Sequence, residues 1–209
     1  VLVGSLIATA FEIARSRQEA LVSRWIAASV RVGGLLPRST LMVSVQRVGE
    51  LDVVLRCMEE EITNGNSASI SAPNYLMDFA ELWIGSIYEI VRVINSDGIG
   101  PDNDELKALG HELRLLRVPL EKFQLAQDDK LKGASLALVR RPPNGDDTDE
   151  YVYSRDDKRR SHVLPRAISG RGSAMWGVID IKNRREFWLE RRDISDRFLK
   201  MWSPLATVA

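Results

Sequence analysis

Six apolar residues, Leu106, Leu109, Leu113, Leu116, Leu120 and Phe123, recur at intervals of three and four, and the rhythm passes straight through Pro119. Such spacing lines side chains along one stripe of an α-helix. Proline costs a helix interior roughly 3 kcal/mol, because it lacks an N–H and crowds the carbonyl one turn back. A chain that left the helix at Pro119 would have no reason to keep register beyond it. The stripe therefore predicts one helix, bent just before Pro119, lying against other helices.

Three earlier segments carry the same period. Leu6, Ala10, Ile13, Leu21, Trp25, Ala28 and Val32 mark the first, which ends at the breaker-rich "GGLLPRST" of 33–40. Val48, Leu51, Leu55, Met58 and Ile62 mark the second. The third begins near Pro73 and runs through Phe79, Leu82, Trp83, Ser86, Ile87, Ile90, Val93 and Ile94. Pro73 suits a first helical turn. Asn103 or Asp104 is placed to cap the fourth helix.

The texture changes after Lys132. "ASLALV" (134–139) and "YVY" (151–153) read as strands. "HVLPRAIS" (162–169) reads as a weaker one that Pro165 confines to an edge. "SAMWGVIDI" (173–181) and "REFWLER" (185–191) flank "KN" as a hairpin, and "ISDRFLKMW" (194–202) closes the chain as a helix. Long helices followed by short strands define an α+β chain. The expected architecture is an antiparallel bundle of about four helices over 1–132, followed by a small antiparallel sheet and a C-terminal helix over 133–209. So small a sheet needs the bundle or a second chain to cover its apolar face.

Hydrophobic residues at 44% and charged residues at 28% suit a globular core with a solvated surface. Lysine plus arginine and aspartate plus glutamate balance at 29 each, so no global field points to nucleic acid. The balance conceals an asymmetry. From Lys130 onward there are 17 basic against 11 acidic residues, leaving 12 against 18 before it. Two regions of opposite sign are expected to pack on each other or on a second copy, with a basic binding face as the alternative. The single cysteine, Cys57, allows no internal disulfide, which suits a reducing cytoplasm. The apolar opening, "VLVGSLIATAF", is too short to span a bilayer and reads as a buried first helix, so no membrane partner is expected.

No catalytic motif is recognisable. His111, His162 and Cys57 have no metal-ligand spacing, and no metal or other cofactor is expected. The acidic run Asp146, Asp147, Asp149 and Glu150 reads as a solvated loop. On the third and fourth helices, Glu89, Arg92, Arg117 and Glu121 have the spacings of helix-face neighbours and would meet if those helices pack antiparallel. They form a candidate ligand-binding cluster. A second candidate lies in the basic and aromatic stretch 155–192, where Arg159, Arg160, Arg184 and Arg185 are placed to contact nucleic-acid phosphate, although acids are interleaved throughout. Trp176, Trp188 and Trp202 are candidate anchors for self-association. These features favour an interaction or assembly protein, expected to be a homo-oligomer. A nucleic-acid binder is the alternative, and a small-ligand binder or unfamiliar enzyme using the helical cluster is a third reading.

Overall fold

A computed structural model describes residues 2–66, 70–96, 103–131, 133, 135–140 and 149–202. It is an α+β fold. The helices are α1 (Val3–Arg17), α2 (Glu19–Leu35), α3 (Leu41–Thr63), α4 (Ala72–Ser96), α5 (Asp104–Lys122) and α6 (Arg191–Trp202). The strands are β1 (Leu136–Arg140), β2 (Asp149–Tyr153), β3 (Arg166–Ile168), β4 (Ala174–Asp180) and β5 (Arg185–Glu190).

The leucine stripe is a core seam. Leu106, Leu109, Leu113 and Leu116 are buried, each contributing roughly 1.5–3 kcal/mol of hydrophobic stabilisation. The helix continues through Pro119 for one more turn. Phe123 departs from the stripe. It sits at the C-cap with φ 53° and is 56% exposed, because the left-handed cap turns its side chain off the helix face. The cap at the other end is as expected, with Asn103 Oδ1 accepting from Glu105 N at 2.8 Å.

The first periodic segment is two helices, broken at Gln18. Ala14 is the buried residue of α1, whereas Leu6 and Ile13 are more than half exposed. The expectation of a buried first helix fails because α1 crosses α3 only near its own C-terminal end, where Cys57 Sγ lies 3.9 Å from Ala14 O. The "GGLL" stretch also behaves differently from a breaker. Gly33 stays helical and allows close approach of α3, since a Cβ there would fall 2.7 Å from the Cβ of Met42.

The strands divide between two sheets. β1 and β2 pair antiparallel, and β3-β4-β5 form a three-stranded antiparallel sheet with β4 central. β3 is short and lies at an edge, with Pro165 O accepting from Gly177 N just before it. The β4–β5 turn is longer than the predicted "KN" pair. Asp180 Oδ1 and Oδ2 accept from the backbone N and Nδ2 of Asn183, and Arg184 takes φ 52° to close the turn.

One main core joins helices and sheet, drawing Trp25, Trp83, Ile87 and Leu109 together with Trp176, Val178, Phe198 and Leu199. Trp25 stacks on Phe198 with centroids 5.6 Å apart. A smaller core of Leu125, Leu138 and Tyr153 lies under β1 and β2.

Candidate functional site

The charge asymmetry has a structural counterpart. The basic C-terminal region packs on the acidic bundle, and Arg191, Arg197 and Arg166 end on bundle carboxylates. Arg191, wholly buried, donates to Glu59 from Nη2 at 2.6 Å and from Nε at 3.0 Å, and forms an ion pair with Asp52. Asp52 also accepts from Trp25 Nε1 and Ser195 Oγ, both at 2.9 Å. Arg56 lies 3.6 Å from Asp52 and reaches Asp196 at 2.5 Å. At the rim, Arg197 bridges Glu105 and Glu112, and Arg166 meets Glu81 at 3.0 Å.

Asp52, Arg56 and Glu59 recur at four and three on α3, so they share one face, and α6 begins exactly where that face needs a cation. Burial alone would raise the Asp52 pKa, but the charges of Arg191 and Arg56 hold it below the ordinary carboxylate value. The cluster sets Asp52 and Glu59 against Arg56 and Arg191, with Trp25, Ser195 and Asp196 as further partners, while Glu59 Oε2 and Arg56 Nε have no hydrogen-bond partner among the described residues. Its geometry ties α3 to α6.

His111 is a second tie. Its Nε2 lies 2.8 Å from Asp180 Oδ2 and its Nδ1 lies 3.2 Å from Gln127 Nε2. Both ring nitrogens are engaged, and the imidazole ties α5 to the end of β4. Burial would raise the Asp180 pKa, but hydrogen bonds from His111 and Asn183 hold it down.

A groove of about 1150 Å³ runs between α3 and α4, closed at one end by Leu120 and Glu121 of α5. Its apolar lining includes Leu41, Val48, Leu51, Leu82 and Ile90. The groove exists because small residues occupy facing positions, namely Ser44 on α3 and Gly85 and Ser86 on α4. The hydroxyls of Ser44 and Ser86 turn back to Thr40 O and Leu82 O on their own helices, so they leave no polar demand on an occupant. Arg47 stands on the α3 wall and Asp78 on the α4 wall, both exposed. Among the described residues, neither has an ion-pair partner.

The predicted ligand cluster assembles at the end of this groove. α4 and α5 run antiparallel, and Arg117 reaches Glu121 at 2.9 Å and Glu89 at 3.3 Å, while Arg92 meets Glu89 at 2.7 Å. Arg117 also lies 4.9 Å over the ring of Tyr88. The four charges neutralise one another and are partly solvated, and Glu89 and Glu121 form part of the groove lining.

The four arginines proposed for nucleic acid differ in exposure and partners. Arg160 donates to Asp128 at 3.2 Å, and Arg185 lies over the Phe187 ring and 3.7 Å from Asp180. Arg159, 95% exposed, sits 3.9 Å from Asp157, and Arg184 is exposed in the β4–β5 turn. Of the three tryptophans expected as anchors, Trp176 and Trp202 are core residues and only Trp188 is exposed. Trp176 takes an inward position of alternating β4, and Trp202 lies on the buried face of α6 with Ile194, Phe198 and Leu199. Asp146 and Asp147 of the acidic run lie outside the described residues, and Asp149 begins β2.

Sequence reasoning missed Arg47, Asp78 and the exposure of Leu82. The signal was present. On α4, Tyr75, Phe79, Leu82 and Ser86 form a stripe of their own, spaced four, three and four, beside the buried stripe of Leu76, Ala80, Trp83 and Ile87. Reading Phe79 and Leu82 into the core stripe merged two faces into one.

No group of three or more histidine, cysteine or acidic residues among the described residues is placed to hold a metal ion. Likewise, no helix among them is long and apolar enough to cross a membrane. Comparison with protein-family models, with curated proteins and with solved structures found no match to this chain.

Proposed function

We propose that this chain is an assembly module that pairs with a second copy of itself through the α3–α4 groove. The observation that carries this reading is the pair of unpartnered, opposite charges on the two walls, Arg47 on α3 and Asp78 on α4. A twofold axis along the groove lays α4 of each copy over α3 of the other. Each Arg47 then faces the partner's Asp78, the self-complementary pattern that an isologous contact requires.

The apolar material for such a contact stands beside the charges. Leu82 of α4, which lines the groove, is 62% exposed, and Tyr75 and Phe79 of the same helix are exposed as well. Exposed large residues grouped along a groove mark interaction surfaces, whereas scattered ones do not. The ridge on one copy supplies the filling that the groove of the other lacks.

Light scattering across a concentration series tests the reading. The native protein is expected as a dimer whose thermal midpoint rises with protein concentration, and Leu82→Glu as a folded monomer whose midpoint does not. A native protein that stays monomeric throughout would overturn the proposal.

A further inference from the structure

His111 of α5 stands between two groups of different character. Its Nε2 lies 2.8 Å from Oδ2 of Asp180, at the end of β4. Burial works against the charge of Asp180, but hydrogen bonds from His111 and Asn183 hold its pKa low, so the carboxylate can only accept. On the other side of the ring, Nδ1 lies 3.2 Å from Nε2 of Gln127, whose amide carries a donor and an acceptor on one rotatable plane. The acceptor end, Gln127 Oε1, is buried and has no hydrogen-bond partner among the described residues.

The two ends of that amide match the two forms of the ring. A neutral imidazole has one proton. With it on Nε2 and donated to Asp180, Nδ1 accepts from the Gln127 NH2, and Oε1 is left unpaired. An imidazolium donates from both nitrogens. A half-turn of the amide then brings Oε1 to Nδ1 and carries the NH2 to the place the oxygen leaves. One end of the amide is unpaired in either orientation, so the protonation of the ring decides between them. The charged ring makes the stronger bonds, because both of its donors carry charge. The ring is 26% exposed, which gives water a route to it.

The charged groups around the ring come from several elements. Arg185 of β5 lies 3.7 Å from Asp180 Oδ2, and Lys182 and Arg184 of the β4–β5 turn are exposed. Lys107 and Arg114, one turn away on α5, are exposed as well, and Glu112 is paired with Arg197 of α6. Beyond Gln127, Asp128 accepts from Tyr153 Oη at 3.1 Å and from Arg160 Nε at 3.2 Å. α4 meets this turn of α5 through the uncharged Val91 and Asn95, both within 4 Å of where a Cβ on Gly110 would stand.

We propose that His111 and Gln127 form a proton switch, in which uptake of one proton from water at Nδ1 turns the Gln127 amide over. The ring then donates to Asp180 from Nε2 and to Gln127 Oε1 from Nδ1. Leu125, two residues before Gln127, belongs to the smaller core, so the switch lies between the bundle and the β1–β2 sheet.

The test is a pH titration of the full chain by NMR, following the ring nitrogens of His111 and the side-chain amide of Gln127, in the parent and in Gln127→Met. In the parent, the amide resonances should move with the same midpoint as the ring. Methionine offers neither donor nor acceptor, so the charged ring loses the stronger bond and the His111 midpoint should fall by roughly 0.5–1 pH unit. A Gln127 that only donates would oppose the charged ring, and its removal would raise the midpoint instead. The sign of the shift therefore decides. A midpoint raised or unchanged in the variant overturns the switch. So do parent amide resonances that stay still while the ring titrates, or a ring that keeps one protonation state wherever the protein is folded.

Discussion

Arg191 and Asp52 stand 139 residues apart in the chain and meet as an ion pair from which water is wholly excluded. Every other charge in that cluster is arranged around them. Glu59 takes the rest of the Arg191 guanidinium, and Trp25 and Ser195 complete Asp52. Bringing such charges out of water is costly, and a buried pair often adds little net stability over apolar residues of the same size. What the cluster contributes is position. A displaced docking of α6 on α3 would break the contacts of Arg191 with both Asp52 and Glu59.

Removing one partner strands the others. Arg191→Leu leaves two buried carboxylates without their main cation and is expected to lose about 3–5 kcal/mol in urea unfolding. Adding Asp52→Asn and Glu59→Gln to that variant should recover part of the loss, because the stranded charges are gone. If the triple variant were no more stable than Arg191→Leu, the loss would come from packing and not from uncompensated charge.

One carboxylate of this cluster and one of the His111 tie set the response to acid. Asp52 and Asp180 both have folded-state pKa values held below the ordinary value, against the effect of their own burial. A depressed carboxyl pKa stabilises the fold above the unfolded value, about 3.9 for aspartate. That stabilisation is lost as pH falls from there through the folded value. The urea midpoint should therefore be insensitive to these groups near neutrality and fall below about pH 4. Asp52→Asn should begin less stable and show a shallower acid limb.

Gly172 tests how closely the sheet approaches α3. It adopts φ 77°, and a Cβ there would lie 2.3 Å from the carbonyl oxygen of Glu59, itself part of the cluster. Gly65 has a similar φ of 67° with nothing within 4 Å. Gly65→Ala should cost only the backbone strain, about 1 kcal/mol. Gly172→Ala should cost clearly more, read as a larger drop in thermal midpoint. Equal costs would mean that the approach to Glu59 imposes no constraint.

Much of this fold was legible because its period is simple. The stripe through Leu109, Leu113 and Leu116 is the seam it was expected to be, and the opposite charge of the two regions reappears as Arg191, Arg197 and Arg166 docked on bundle acids. The ionic centre itself was hidden. Asp52, Arg56 and Glu59 have the spacing of a solvated helix face, and nothing local says that α6 will cover them. The break at Gln18 was hidden for a related reason, since the apolar period continues across it while burial does not. The Glu89, Arg117 and Glu121 cluster was found from spacing alone, yet its place at the end of a groove depends on Gly85 and Ser86 being small on the neighbouring face.

The most direct test of pairing through the groove is a charge-reversal cycle read by sedimentation velocity. Arg47→Asp and Asp78→Arg are compared singly and together with the parent. Each single change puts like charges opposite each other across the contact and should shift the protein toward monomer. The double change restores attraction with the signs exchanged and should bring the dimer back. Four proteins with the same sedimentation behaviour, or a double variant no better than either single one, would contradict it.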